Sequence, residues 1–366
     1  MRIGVHGPNS VHLEAHLEAR RRGWTVVPLR GPDLEAEAAR LGARAVWPDV
    51  DGLPDGPGEV RVVLQTSGTT GEPTPVELTD AMLQAHREAC APLLGHDDEA
   101  VWLLALPLTH MGGVAVLDRC LRDGAGLVVL DEHGPAAIAE ALPGVTHVSL
   151  VPTQLAGLLG QLPAPPAGLR CVLLGGDAAD PALVGRALDA GWPLFCSYGM
   201  TEACGQVATA TPAERGARPG TVGRPLQGVE VTIEDGQIVV AGRTVAGGRH
   251  ATGDLGHLDD DGYLYLTGRT AERIITGGKN VDARRVERAL LEHPGIHAAC
   301  VVGLPDARWG QVVAALVEGE ADEEDLDARC RARLEPHEVP RRWAFGPVPL
   351  TAKGTPARGE AAARFA

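Results

Sequence analysis

The sequence predicts an α/β protein: a large amino-terminal domain of mostly parallel, doubly wound sheets with a small antiparallel β subdomain, then a small α+β carboxy-terminal domain. Three observations predict it. Short runs rich in Val, Leu and Ile alternate with helix-length segments from residue 2 to residue 190, the signature of parallel strands joined by helical crossovers. Near Gly220 the texture shortens to alternating segments set off by Asp235-Gly236 and Asp261-Gly262, which reads as an antiparallel meander. After Gly268 helices and strands return as a separate block.

Residues 2–5 read as a strand, 12–22 as a helix with Leu13, Ala15, His16 and Leu17 among its spaced positions, and 24–28 as a second strand. The strand at 60–65 leads into a Gly/Thr-rich loop and is grouped with the β-then-α pairs that follow. Those pairs are 101–105 with 112–122, 127–130 with 136–142, 145–151 with 153–162, and 171–174 with 181–190; a further strand is read at 193–196. The meander contributes strands at 229–233 and 237–240. The last block holds a helix at 282–292, strands at 298–302 and 312–317, an acidic helix at 323–334 and a tail from residue 341. The boundary falls at Arg269 to Glu272, giving domains 1–268 and 269–366. The acidic cluster at 322–327 reads as the solvated start of its helix.

Composition narrows the function classes. A chain of 366 residues exceeds one ordinary domain, and 44% apolar with 22% charged residues is the balance of a soluble globular protein. A net charge of −15 disfavours sequence-independent attraction to nucleic acid or anionic lipid. An anionic substrate must then be met by local dipoles and a few placed cations. Seven cysteines without a C-x-x-C pair read as buried reduced thiols. Residues 1–28 show neither a secretory signal nor a membrane-length apolar run, so the expected location is cytoplasmic.

Three segments carry candidate chemistry. The first, Thr66-Ser67-Gly68-Thr69-Thr70-Gly71, follows a strand; its glycines permit close approach, and successive N–H groups and hydroxyls can ring phosphate oxygens. It lacks the Gly-Lys-Ser/Thr of a Walker loop and, alone, is as easily a polar turn. The second, Ser197-Tyr198-Gly199-Met200-Thr201-Glu202, supplies a ring that can stack on a base, a hydroxyl for phosphate and a carboxylate for Mg²⁺. Its plain alternative is a capped strand end. The third, Thr252-Gly253-Asp254 with Gly268-Arg269 downstream, offers an acceptor and a donor for ribose hydroxyls, or equally a pair of glycine turns.

In this order and these surroundings, the three segments resemble the core motifs of the adenylate-forming superfamily, which includes acyl-CoA synthetases, luciferases and the adenylation domains of peptide synthetases. Gly175-Gly176-Asp177-Ala178, where that superfamily holds adenine, and Val286-Glu287 on the first helix of its small domain extend the resemblance. Within it, Leu106-Pro107-Leu108-Thr109-His110-Met111-Gly112-Gly113, then Arg119, then the stretch from Thr146 to Leu155 resemble the o-succinylbenzoate-CoA ligases of menaquinone biosynthesis. The short length resembles the compact actinobacterial forms, with an abbreviated part before Val60.

The resemblance implies an AMP-forming acid–thiol ligase that uses ATP, Mg²⁺ and CoA on a small-molecule carboxylate, without nucleic acid or membrane insertion; a homodimer is left open. It implies that Thr66 to Gly71, Gly175, Gly176, Asp177, Ala178, Tyr198, Gly199, Asp254 and Arg269 bind the nucleotide and Glu202 the metal. Thr201, Glu202, Lys353 and His110 would be catalytic, and His110, Arg119, Ser149 and Thr153 would line the acyl site. The small domain would be mobile, turning near Arg269 to Glu272 between half-reactions. For Arg119 the chemistry is sound, since a guanidinium binds a carboxylate bidentately. An exposed helix arginine and, for His110, a satisfied core histidine are the plain readings of the same residues.

Two lysines of that pattern have no counterpart. The phosphate loop continues Pro73-Thr74-Pro75 where the family has Pro-Lys-Gly, and Thr355 stands where its catalytic lysine is expected. Loss of a positioned cation against developing phosphate charge costs on the order of 3 kcal/mol, about a hundredfold in rate. Lys353, two residues upstream, would share a face with that position in an extended tail and is expected to substitute after a small register shift; Lys279 or Arg358 are other sources of charge. The remaining readings are an adenylating enzyme that passes its acyl group to an amine or carrier protein, and an adenylation-deficient nucleotide- or acyl-binding homologue.

Overall fold

A computed structural model describes residues 1–30, 33–50, 59–67, 73–270, 273–350 and 356–365. Its contacts divide the chain into a first unit, Met1–Thr252 with His257–Leu266, and a second, Gly253–Gly256 with Thr267–Ala366.

The first sheet is built from β1 (Arg2–Val5), α1 (Asn9–Arg22), β2 (Thr25–Pro28), α2 (Leu34–Arg40), β3 (Ala45–Val46), β4 (Val60–Ser67) and β5 (Pro73–Thr79), followed by α3 (Asp80–Cys90). Its order is β3-β1-β2-β4-β5, parallel except for β5. Helix α1 stops at Gly23, whose φ of 68° is the left-handed cap that glycine adopts without strain. The strand at 60–65 is not half of a β-then-α pair: β4 turns back into antiparallel β5, with Thr66 opposite Thr74, and α3 comes only after that hairpin. Pro73 and Pro75 mask β5 in the sequence, because proline lacks a ladder donor; at the sheet edge that loss is tolerated.

The second sheet repeats one local plan. It contains β6 (Val101–Leu104), α4 (Met111–Asp123), β7 (Gly126–Val129), α5 (Pro135–Ala141), β8 (His147–Leu150), α6 (Pro152–Leu159), β9 (Cys171–Leu174), α7 (Pro181–Asp189) and β10 (Leu194–Met200). These are joined at one edge by β11 (Gly205–Ala210), α8 (Pro212–Ala217) and β12 (Arg224–Pro225). The order is β12-β11-β10-β9-β8-β6-β7, with β7 to β10 parallel and β11 and β12 antiparallel. Alternation of side chains gives the sheet two apolar faces. Trp102 and Leu104 join a core shared with Ile3, Val26, Val62 and Leu64 of the first sheet, while Leu103, Val148 and Val172 pack with Ile138, Leu155 and Val184 of α5 to α7.

The third sheet is the meander β13 (Val229–Glu234), β14 (Gln237–Gly242), β15 (Arg249–Leu258) and β16 (Leu264–Arg269). Asp235 and Gly236, both at positive φ, form the two-residue turn between β13 and β14.

The second unit holds β17 (Arg273–Thr276), β18 (Lys279–Asp282), α9 (Ala283–Leu291), β19 (Ile296–Asp306), β20 (Gly310–Gly319), α10 (Glu323–Arg333), β21 (Arg342–Phe345) and α11 (Arg358–Ala362). Its sheet runs β18-β17-β20-β19, with β21 parallel to β20. Val286 and Leu290 of α9 and Leu326 of α10 cover one face; Ala361 of α11 packs with Cys300 and Val302 on the other. The acidic residues Glu323, Glu324 and Asp325 fill the first turn of α10, where the Asp322 carboxylate accepts the Asp325 N–H at 2.8 Å. All seven cysteines are free and buried. Among the described residues no helix is long and apolar enough to cross a membrane.

Candidate active site

Strand register lines up the segments that the sequence singles out. Leu103 pairs with Val148, Leu150 with Leu174, and Leu174 with Cys196, so the carboxyl ends of β6, β8 and β9 form one row with Cys196 inside β10. Beyond that row follow, strand by strand, Leu106 to His110, Val151 to Thr153, Gly175 to Ala178, and Ser197 to Glu202. Strand order also reverses here: β7 lies on one side of β6, and β8, β9 and β10 lie on the other. A reversal of this kind opens a crevice at the strand ends, where α/β sheets bind ligands.

The backbone along the β9 and β10 part of this row is crowded in ways that require glycine. A Cβ on Gly199 would sit 2.1 Å from the Gly205 carbonyl oxygen, and one on Gly175 would meet Ser197 Oγ at 2.5 Å. Tyr198 is buried, and the Asp177 carboxylate caps the Ala178 N–H at 2.7 Å. Beyond Met200 the chain makes a single 3-10 turn, Thr201–Ala203, and Cys204 follows at φ 57°. Thr201 and Glu202 are half-buried there, and the Glu202 carboxylate has no side-chain partner among the described residues. The described residues hold no group of three or more His, Cys, Asp or Glu set for a metal. A lone carboxylate suits a Mg²⁺ that arrives on phosphate oxygens and keeps its waters. Thr66 Oγ1 donates to the Thr74 carbonyl at 3.3 Å. Gly68, Thr69, Thr70, Gly71 and the Ser67 side chain lie outside the described residues.

On the β6 side, His110 is the exposed amino-terminal cap residue of α4, and Arg30 donates to its Nδ1 at 3.4 Å and also to the Thr109 carbonyl. Ser149 is buried in β8, and Thr153 is exposed in the first turn of α6. Arg119 differs from the plain reading of an exposed helix arginine: it is 1% exposed. Its guanidinium carbon lies 4.5 Å from the centroid of Trp102, Nη2 reaches Cys90 Sγ at 3.2 Å, and Nε and Nη1 have no hydrogen-bond partner among the described residues. Two N–H-bearing nitrogens of a buried cation are thus unmatched.

The surroundings of Arg119 are neutral. His86 of α3 accepts the Gln206 N–H on Nε2 at 3.1 Å, and its pKa is lowered to about 3 by burial and then by Arg119. His147 stacks on Trp102 at 4.8 Å, and burial above all lowers it to about 4. His96 accepts from Trp102 Nε1 at 2.9 Å and pairs with Asp123 at 2.9 Å; burial and Arg119 lower it as well. No carboxylate neutralises the guanidinium among the described residues.

The other predicted residues belong to the second unit. Asp254 is buried, and Arg269 Nε meets its Oδ1 at 2.8 Å. Lys279 is exposed at the start of β18. Arg358 is bound bidentately by the buried Glu287 carboxylate and also donates to the Val301 carbonyl at 2.8 Å, so it is committed to holding α11. Lys353 and Thr355 lie outside the described residues.

Sequence reasoning passed over Asn9 and Gln154, which bond the loops after β6 and β7, and Trp102 and His86, which surround Arg119. Trp102 had a signal, as one of six tryptophans in a chain with 3% aromatic residues. The others are single polar residues whose partners lie far along the chain.

Comparison with known proteins gives this geometry its relatives. The AMP-binding enzyme family matches residues 6–250, and the AMP-binding enzyme C-terminal domain matches residues 285–355. A 2-succinylbenzoate–CoA ligase of Bacillus cereus (strain Q1) is 35% identical over 318 residues, covering 78% of this chain and 66% of the relative's length. The o-succinylbenzoate CoA synthetase (MenE) of Bacillus subtilis, solved with its acyl-adenylate intermediate OSB-AMP, superposes with a TM-score of 0.85. Its identity is 26%, covering 98% of this chain and 87% of that one. The amide bond synthetase McbA of Marinactinospora thermotolerans reaches a TM-score of 0.82 at 28% identity, covering 100% and 90%. With the family matched over most of its length, the chain belongs to the AMP-binding enzymes.

Proposed function

We propose that the chain is an ATP-dependent acid–thiol ligase that activates a carboxylic acid as its acyl-adenylate and passes it to CoA, with o-succinylbenzoate as the acid. The observation that carries the substrate is Arg119. A buried guanidinium with two unmatched nitrogens is costly, because desolvation of a cation is repaid only by a partner of opposite charge. A second carboxylate on the substrate, the one not being activated, supplies that partner.

In the first half-reaction a carboxylate oxygen attacks the α-phosphorus of MgATP, the bond to the bridging oxygen breaks, and pyrophosphate leaves. This chain's part is to align two anions and balance their charge. Thr66 and the loop to Gly71 hold phosphates, Gly175 to Ala178 with Tyr198 and Gly199 hold adenine, and Asp254, oriented by Arg269, takes the ribose hydroxyls. Thr201 meets phosphate, Glu202 takes the Mg²⁺ that comes with ATP, and Lys353 supplies the cation that Thr355 does not. His110, Ser149 and Thr153 flank the acid. In the second half-reaction the CoA thiolate attacks the acyl carbon and AMP leaves; we assign residues 269–366 the role of a lid that turns between the two. The solved MenE complexes, one with ATP and magnesium, support this reading.

The likeness to an amide bond synthetase favours one alternative, in which the same adenylate is passed to an amine. One assay separates the two. Pyrophosphate release is measured with o-succinylbenzoate, MgATP and either CoA or an amine. Turnover that ends in the CoA thioester is expected; amide formation without CoA would favour the alternative, and no release with this acid would refute the substrate.

A further inference from the structure

Two buried carboxamides are spent on the same pair of loops. Asn9, 2% exposed at the start of α1, donates from Nδ2 to the carbonyls of Leu106 at 3.1 Å and Leu130 at 3.0 Å, and its Oδ1 accepts the Leu108 N–H at 2.9 Å. Gln154 of α6, 8% exposed, donates from Nε2 to the carbonyls of Ala105 at 3.1 Å and His133 at 3.0 Å, and its Oε1 accepts the Val151 N–H at 3.0 Å. Each amide therefore ties one carbonyl from the segment after β6 to one from the segment after β7. Ser10 adds two bonds to the second segment, its N–H and Oγ each 2.8 Å from the Asp131 carboxylate.

A carboxamide is the side chain this arrangement needs. It offers two donors about one nitrogen and an acceptor beside it. A carboxylate would turn an oxygen toward two carbonyl oxygens, and an apolar side chain would leave buried backbone groups unmatched.

We propose that Asn9 and Gln154 act as positioning residues that hold the β6–α4 loop, and with it His110, in place for the acid substrate. The inference rests on reading that loop as a wall of the acyl site. Neither amide touches reacting atoms; both act through the backbone from Ala105 to Leu108. The amino-terminal sheet thereby has a part in the reaction, since α1 supplies one half of the clamp.

The test uses Gln154→Met, which keeps volume and removes every bond, with Asn9→Ser and the milder Ser10→Ala beside it. Amide hydrogen exchange is read at residues 106–114 and at α7 as an internal reference, and KM is measured for o-succinylbenzoate and for MgATP. Gln154→Met should speed exchange in the loop at least tenfold without changing α7, and raise the acid KM about tenfold with the ATP KM within about twofold. Ser10→Ala should move both in the same direction by less. Unchanged loop exchange would overturn the clamp, and faster exchange with acid and ATP KM rising together would reduce it to a structural support. A wild-type chain with no turnover on any acid would defeat the proposed function alone, and the exchange result would still decide the clamp.

Discussion

Arg119 rests on the face of Trp102, its guanidinium carbon 4.5 Å from the ring centroid, where a buried arginine would ordinarily meet a carboxylate. The indole stabilises the charge without consuming hydrogen bonds, and Nε and Nη1 are left without a partner among the described residues. Trp102 is held in turn by His96, and His96 by Asp123, which gives the cation a fixed platform.

An internal carboxylate should therefore compete with the substrate. Cys90 Sγ lies 3.2 Å from Arg119 Nη2, and Cys90→Asp brings an acid of similar size to that point. The variant is expected to gain about 1–2 kcal/mol in stability by satisfying a buried cation, and to lose tenfold or more in kcat/KM for o-succinylbenzoate. Arg119→Leu should lower kcat/KM for the same acid about a hundredfold, but change turnover of a monocarboxylic analogue by less than about threefold. Thermal melts and pyrophosphate release check both. Equal losses on the two acids would remove Arg119 from substrate recognition.

Acid should destabilise the fold well before its carboxylates titrate. His86 is lowered to about 3, by burial and then by Arg119; His147 is lowered to about 4, chiefly by burial, and His12 to about 4, by burial and then by His6. In the unfolded chain each titrates near 6.5, so below that pH the unfolded state takes up protons that the folded state refuses. Stability is then fully present above about pH 6.5 and falls toward pH 4, by up to about 1.4 kcal/mol per pH unit for each histidine. Urea unfolding at pH 8, 7, 6 and 5 should show a plateau and then a steep fall. His86→Gln, which keeps an acceptor for the Gln206 N–H, should reduce that slope by one proton.

Much of this architecture can be read from the sequence where apolar runs and helices alternate. β9 is buried along its whole length, so its sequence, Cys-Val-Leu-Leu, is a continuous apolar run, and α7 begins at a proline capped by Asp180. Both stand within a residue of their expected bounds. β5 and β11 escaped for local reasons: two prolines disguise the first, and Gly-Gln-Val-Ala-Thr-Ala is a weak strand signal that forms because β10 and β12 pair with it. The candidate site divides in the same way. Its glycines and hydroxyls stand together in short motifs, but the burial of Arg119 and the two amide bridges join residues between 21 and 121 positions apart, which no local pattern encodes.

The second unit depends on Glu287 and Arg358. Glu287 accepts the Val301 N–H at 2.8 Å while both its oxygens receive Arg358, whose Nη1 also reaches the Val301 carbonyl at 2.8 Å. The pair joins α9, β19 and α11. Arg358→Met would leave the carboxylate, 10% exposed, without its cation, and should cost about 3 kcal/mol in that unit. Glu287→Gln with Arg358→Met should recover part of the loss, because no charge is then stranded. Denaturant unfolding of the single and double variants gives the coupling directly, and strictly additive losses would show that the two residues stabilise the unit independently.

The phosphate loop and the tail each lack a lysine that the family's pattern places there. With Thr74 and Thr355 at the two expected lysine positions and Arg358 held by Glu287, Lys353 is the nearest remaining source of charge in sequence. A positioned cation acts on adenylation, where negative charge builds on the α-phosphate, and has little to do once the mixed anhydride exists. Lys353→Ala should therefore slow acid-dependent pyrophosphate release about a hundredfold, while conversion of supplied o-succinylbenzoyl-AMP to the CoA thioester changes by less than about threefold. Thr355→Lys in the Lys353→Ala background should restore at least a tenfold part of the lost rate. If Lys353→Ala adenylates at the wild-type rate, the charge comes from elsewhere; if both half-reactions fall together, the residue supports the tail rather than the chemistry.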